Sequence, residues 1–273
     1  MAIAIETIDL AAIKQRQQQI WSAGDYGEVG VTLQIIAEQL CEAVDLRAGQ
    51  RVLDVATGTG NAALAAARRF ANPIGIDYVP ALLHQARARA DAEGLAVEFR
   101  DGDAEDLAFF DESFDVVLST LGVMFAPNQV DSARELVRVC RPGGKIGLAN
   151  WTPEGFIGGM FRTIGQHVPP PAGLPSPLLW GTEDRLRDLF GDGISSLAVE
   201  RRHFVFRYRS PEHFLHFFRS YYGPMRKAFE ALDEAGQESL TRDLLDLMAR
   251  FNRSGDGDLV APGEYLEVVA VRR

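Results

Sequence analysis

A few short stretches carry the residues of this chain whose types and spacing can do chemistry. The first is LDVATGTGNAAL at residues 53–64, where Gly58-x-Gly60-x-x-Ala63 fits a G-x-G-x-x-G/A nucleotide loop and Asp54 stands just ahead of the glycines. Glycines at such a place let the backbone approach a ligand closely at the carboxyl end of a sheet strand. Asp77 lies 77 − 58 = 19 positions past Gly58, close to the spacing of an acid that binds a ribose diol. Its plainer role is a carboxylate at the N-terminus of a helix starting near Pro80, where the helix dipole favours it. In RDGDAEDL, Asp103 can accept from an adenine amino group while the Ala104 N–H bonds a ring nitrogen, or the acids can simply cap a helix. Ser119 and Thr120 close the next apolar stretch at the mouth of the same crevice. A lone glycine loop also serves to pack an Ala-rich helix on a sheet, and NAALAAA permits that.

These residues need a parallel sheet to bring them together. Residues 51–150 alternate short apolar strands with helical patterns, the mark of βαβ units. Strands are predicted at 51–56, 73–77, 96–100, 114–120 and 145–150, and helices at 61–70, from Pro80 to Gly94, and at 130–140. Two helices, 10–21 and 31–44, precede the first strand, joined by SAGDYGEVG. After Trp151 the Gly/Pro-rich texture of WTPEGFIGG and HVPPPAGLPSPLLWG predicts irregular backbone, with a short helix at 183–190. A strand at 198–208, helices from Ser210-Pro211 to about residue 251, and a closing strand EYLEVVAVRR complete the chain.

Composition narrows the partners. With 273 residues, 47% hydrophobic and 24% charged, the chain suits one sizeable folded α/β domain. A formal charge of −10 repels phosphate backbones, so no nucleic-acid partner is expected. The one basic run, RRHFVFRYR, alternates like a strand with a solvated face. Cys41 and Cys140 fall in predicted amphipathic helices and suit reduced, buried thiols of a cytoplasmic protein; no metal-ligand spacing is visible. Glu6 and Asp9 mark an N-terminus without the pattern of a signal peptide, and no apolar run is long enough for a membrane span.

The loop acids discriminate among ligands. Asp54 would repel a pyrophosphate, whereas a ligand carrying a sulfonium and an α-ammonium would be welcome beside it and the loop carbonyls. The segment 51–150 resembles the core of class I S-adenosylmethionine-dependent methyltransferases. VLDVATGTG matches the family's first motif, GIDYVPALL the ribose motif and GDAEDL the adenine motif. FDVVLS matches the fourth strand and RVCRPGGKIGLANW the run into the fifth. The subgroup it resembles most includes ubiquinone and menaquinone methyltransferases and small natural-product methyltransferases. The resemblance implies a Rossmann-like seven-stranded α/β sheet of order 3-2-1-4-5-7-6 with strand 7 antiparallel. It implies S-adenosyl-L-methionine as cofactor, S-adenosyl-L-homocysteine as product, and Tyr26, Asp54, Ala56, Thr57, Gly58, Gly60, Asp77, Tyr78, Gly102, Asp103, Ala104 and Ser119 as its site. Residues 1–50 would then cover the cofactor and 51–150 bind it. Residues 151–273 would supply strands 6 and 7 and helical cap insertions, since residues 210–263 replace a short hairpin.

The acceptor is less legible. Methyl transfer by in-line displacement can run on positioning and water exclusion, with at most a general base. His167, His213 and Tyr222 are the candidates for such a base. The histidine-bearing helix at 213–218 reads more simply as core, and Trp21 with Tyr26 could cover the methionine end of the cofactor. No N/D-P-P-Y tetrapeptide follows strand 4, and no Pro-Cys nucleophile is present, which argues against amino methylation of adenine or glutamine and against cytosine C5 methylation. The expectation is O- or C-methylation of a small, apolar or aromatic acceptor by a metal-independent monomer or homodimer. The alternatives are an NAD-dependent oxidoreductase and a cofactor-binding regulatory module without turnover.

Overall fold

The computed structural model describes residues 9–273; the first eight residues, on which part of the reading of the N-terminus rests, lie outside them. The chain forms α1 (Leu10–Trp21), α2 (Tyr26–Gly30), α3 (Gln34–Ala43), β1 (Arg51–Val55), α4 (Asn61–Arg68), β2 (Asn72–Asp77), α5 (Pro80–Glu93), β3 (Glu98–Asp101), β4 (Phe114–Thr120) and α6 (Gln129–Val139). It continues through β5 (Cys140–Trp151), α7 (Phe156–His167), α8 (Glu183–Phe190), β6 (Ile194–Tyr208), α9 (Pro211–Tyr221), α10 (Gly223–Glu230), α11 (Glu234–Phe251) and β7 (Leu259–Arg272). The seven strands make one sheet in the order β3-β2-β1-β4-β5-β7-β6. β1 to β5 are parallel, and β7 runs antiparallel between β5 and β6. Both order and direction are those expected.

Local sequence explains most of these elements. In β1 only Arg51 is exposed and Val52 to Val55 are buried, as in a central parallel strand covered on both faces. α5 begins on Pro80 and ends at Gly94, which takes the left-handed conformation (φ 65°) of a helix C-cap. In α4 the alanines 62, 63, 65, 66 and 67 and Leu64 are all buried, so small side chains let the helix lie close on the sheet.

Four departures have tertiary causes. The Gly-rich stretch after Trp151 contains a full helix, α7. A Cβ at Gly158 would sit 2.3 Å from the Thr152 carbonyl and one at Gly159 2.8 Å from Leu247, so these glycines permit close packing and do not break the helix. The linker SAGDYGEVG holds α2, whose N-cap Asp25 accepts from the Gly27 N–H, and the helix expected from residue 31 begins as a 3-10 turn at Val31–Leu33. Cys140 is the first residue of β5 and not helical, because the backbone must be extended before Pro142. β6 and β7 are longer than expected and pair as far as Tyr208↔Leu259. Pro262 is tolerated there because β5 pairs with β7 only as far as Tyr265, so no second ladder needs its N–H.

Helices α1, α2, α7 and α9 to α11 gather over the carboxyl ends of the strands as a cap. Its aromatic core includes Phe214 stacked on Phe218 at 4.1 Å, with Phe206 of β6 edge-on to Phe214 and Phe156 of α7 against both Phe206 and Phe214. The aromatic face of α9 is therefore core. The cap packs on the sheet through the same contiguous apolar cluster that fills the face of β4 and β5. Among the described residues no helix is long and apolar enough to cross a membrane.

Candidate active site

The loops after β1, β2, β3 and β4 enclose a cavity at the carboxyl end of the sheet, where ligands of open α/β folds bind. The β1 loop turns at Ala56 (φ 53°), Gly58 (φ 56°) and Gly60 (φ 88°), and the Thr57 N–H donates to the Ile76 carbonyl at 2.8 Å. At Gly58 the left-handed backbone favours glycine, and it brings the loop under the Tyr26 ring, 3.6 Å from where a Cβ would be.

Asp54 braces this loop from below. Its Oδ2 accepts from the Thr57 hydroxyl at 2.5 Å and from the Ala63 N–H at 3.0 Å. Burial pushes its pKa up to about 7 against those hydrogen bonds, and the charge of Asp77 adds to the rise. Asp77 ties the loop to the next strand, its Oδ2 accepting from the Gly58 N–H and its Oδ1 from the Val79 N–H, both at 2.9 Å. Burial likewise pushes Asp77 up to about 6, despite the backbone donors of Val79 and Gly58. Asp103 meets a group that no local motif foretells: the Lys14 ammonium of α1 reaches both Asp103 and Glu105 at 2.5 Å. Burial pulls the Lys14 pKa down, but the two carboxylates outweigh it and leave it raised.

Of the twelve residues expected to hold a cofactor, Tyr26, Asp54, Ala56, Thr57, Gly58, Asp77, Tyr78, Asp103 and Ala104 line this cavity. Gly60, Gly102 and Ser119 do not. A Cβ at Gly60 would press on Phe99 at 3.1 Å and one at Gly102 on Ile76 at 3.2 Å, so both glycines serve packing. Ser119 faces the other side of β4: its hydroxyl donates to the Val55 carbonyl at 2.7 Å and accepts from the Val123 N–H at 2.9 Å. Alternation along the strand gives the cavity position to Thr120, whose buried hydroxyl has no partner in the protein.

Four aromatic rings stand where the cavity opens to the cap. Trp21 lies 5.6 Å from Tyr26, 5.0 Å from Phe125 and 5.7 Å from Tyr222. Behind them is a small apolar chamber of about 30 Å³ walled by Leu121, Trp151, Met160, Phe206 and Phe218 among others. Beside it, α7 and the Pro-rich segment that follows form a larger cleft of about 630 Å³. Trp21 and Phe125 line all three spaces, and Tyr222 lines the chamber and the cleft. Phe125 went unnoticed in the sequence; its signal is only an aromatic residue shortly after strand 4. Burial, with Asp77, pushes the Tyr26 phenol up to about 12, and burial with Tyr26 holds Tyr222 well above the usual tyrosine range.

The two histidines lie elsewhere. His167 Nε2 is 2.7 Å from Asp243 Oδ2 on α11, and His213 sits by Arg209 beyond the Tyr208 ring. Neither lines the cavity, the chamber or the cleft. Among the described residues no group of three His, Cys, Asp or Glu side chains converges as a metal site.

The wall chemistry suits a cationic adenosine cofactor. Carboxylates end or follow successive strands, an unpaired buried hydroxyl faces the space, and a glycine cradle lies below. Residues 52–144 match the family model described as a methyltransferase domain. An uncharacterized protein of Mycobacterium tuberculosis is 39% identical over 246 residues, 89% of this chain and 90% of its own length. The demethylmenaquinone methyltransferase of Deinococcus radiodurans is 39% identical over 128 residues, 45% of this chain and 53% of its own. The chain belongs to the class I S-adenosylmethionine-dependent methyltransferases. The crystal structure of the YcgJ protein of Bacillus subtilis shares the fold, with a TM-score of 0.61 at 17% identity over 87% of this methyltransferase and 97% of that chain.

Proposed function

We propose that this methyltransferase modifies a small, apolar or aromatic acceptor at oxygen or carbon, presented at the junction of the four rings. The observation that carries the reading is that Trp21 and Phe125 wall the cofactor cavity, the small chamber and the cleft at once. When bound, S-adenosylmethionine supplies a sulfonium-borne methyl group open to in-line displacement, which leaves S-adenosylhomocysteine. On the protein side, Asp77 would hold the ribose hydroxyls, and Asp103 with the Ala104 N–H the adenine. Asp54, Thr120 and the loop after β1 would hold the amino-acid end. Trp21, Tyr26, Phe125 and Tyr222 exclude water and can turn ring faces to a cation.

No histidine or carboxylate lines the chamber or the cleft. Tyr26 and Tyr222 are both held protonated near neutral pH. The reading therefore favours acceptors acidic enough to ionise without a base from these walls, such as phenols, enols or carboxylates. The Deinococcus relative, named for demethylmenaquinone, is in keeping with an aromatic acceptor. A cytoplasmic setting is supported by the two buried, unpaired thiols Cys41 and Cys140, each pushed up to about 12 by burial. A net charge of −10 supports a small-molecule acceptor over nucleic acid, and the protein would act as a monomer or homodimer.

Equilibrium titration tests the cofactor, and mass spectrometry of a phenol, enol and carboxylate panel tests the transfer. S-adenosylhomocysteine should bind at micromolar concentration or tighter and NADH should not. Preference for NADH would overturn the reading. Binding without any methylated product would favour a regulatory module.

A further inference from the structure

The three spaces differ in size in a way that divides the work of holding an acceptor. The chamber behind the rings measures about 30 Å³, room for about two water molecules at roughly 10–15 Å³ each, so it can admit a small reacting group but not the body of an aromatic acceptor. The cleft beside it measures about 630 Å³, within the range of small-molecule sites. Its apolar wall includes Ile20, Phe161, Ile164, Val168, Leu174 and Leu178.

Three of the polar side chains on that wall are already bonded, and a fourth, Gln166, is exposed at its edge. Gln17 donates to the Phe125 carbonyl and accepts from the Tyr78 hydroxyl, Ser176 accepts from the Leu178 N–H, and Arg162 donates to the Pro153 carbonyl. A polar ligand would find little to bond, whereas a hydrocarbon would lose little by entering. One position on this wall has no side chain where one would fit. A Cβ built on Gly165 of α7 meets only Pro170 Cδ, at 3.9 Å, which is ordinary contact. Every other glycine of α7 is held by close packing, so Gly165 alone among them is free of that need.

We propose that the cleft holds an apolar tail of the acceptor, of about ten or more carbons, and that Gly165 sets how long a tail it admits. The inference rests on the acceptor reading above. The cleft's occupant is fixed by continuity: Trp21, Phe125, Ala126 and Pro127 belong to its wall and to that of the cofactor cavity. A molecule whose reactive end stands at the rings therefore has its remainder in the cleft.

The test uses 4-n-alkylphenols from methyl to dodecyl, titrated calorimetrically into the full chain saturated with S-adenosylhomocysteine. Affinity should rise about fourfold for each methylene buried, then level off when the cleft is full. Gly165→Trp should bring the plateau several methylenes earlier with unchanged affinity for S-adenosylhomocysteine. Gly165→Leu, the gentler plug, should shift it in the same direction by less. No dependence on chain length while the cofactor product still binds would overturn the tail site. An unshifted plateau in a folded Gly165→Trp protein would overturn the role of Gly165. A change of oligomeric state in that variant, without a change in the series, would make the cleft an interface between copies and sink the proposal. Failure of S-adenosylhomocysteine to bind would instead bring down the reading of the cofactor site.

Discussion

Asp54 and Asp77 each hold the nucleotide loop in shape with the same carboxylate that faces the cavity. Asp54 grips Thr57 and Ala63, and Asp77 grips Gly58 and Val79, so each keeps lone pairs for a ligand while its bonded ones fix the backbone. Asp77→Ala should weaken S-adenosylhomocysteine binding by more than about 1.5 kcal/mol, the upper range for one neutral hydrogen bond, because it also frees the Gly58 N–H. Titration of the folded variant checks this. Burial raises both carboxyls, Asp54 from 3.8 to about 7 and Asp77 from 3.8 to about 6. A raised carboxyl pKa means the folded state holds its proton more tightly than the unfolded chain does. That contribution to stability is complete below pH 3.8 and is lost as pH climbs through the folded value. Asp54→Asn keeps an acceptor oxygen and removes the titration. Relative to the parent, it should gain roughly 3 kcal/mol of unfolding free energy between pH 5 and pH 8, read by urea denaturation without ligand. An equal difference at both pH values would show that Asp54 does not titrate in this range.

At the scale of elements, α1 is the least anchored part of the site. None of its residues is fully buried; Trp21 packs at its end among the four rings, and polar contacts hold the rest over the cavity: Lys14 to Asp103 and Glu105, Gln17 to the Phe125 carbonyl, and Gln18 to the Tyr78 carbonyl. The cavity measures about 70 Å³, below the range of cofactor sites, so α1, which lies over it, is expected to shift when a nucleoside enters. Ion pairs of this partly exposed kind contribute about 0–1 kcal/mol each, small enough to break for entry. Lys14→Met should raise hydrogen exchange across α1 while leaving the urea midpoint of the whole protein nearly unchanged. Exchange in α1 equal to the parent's would mean that Lys14 does not latch the helix. The helix itself was legible from its sequence. Its latch was not, because Lys14 and Asp103 are 89 positions apart and neither carries a local mark of the other.

For the whole molecule, cap and sheet share one apolar cluster, so ligand binding at their seam should be felt as global stability. S-adenosylhomocysteine at about a hundred times its Kd should stabilise the fold by about 2.7 kcal/mol. For a protein of this size that raises Tm by roughly 5–10 °C, readable by calorimetry, and NADH at the same concentration should not shift it. Most of the cavity wall comes from residues 54–127, with Lys14, Trp21 and Tyr26 added from before the sheet, whereas the junction also draws Tyr222 from the cap.

The sequence by itself determined the strands and motifs whose resemblance to a methyltransferase family implied the sheet order, and nine of the twelve residues it pointed to line the cavity. Those depend on local signals: apolar strands, glycines where the chain must turn left-handed, and acids at strand ends. Only the tertiary structure decided that Thr120 and not Ser119 faces the cavity, because one residue of strand register exchanges the two faces. It alone turned Gly158 and Gly159 of α7 from apparent breakers into contact points, and it alone placed His167 and His213 away from the cavity. The cleft beside the rings belongs wholly to tertiary structure, because its walls come from segments whose contact depends on packing across the chain and not on neighbouring residues.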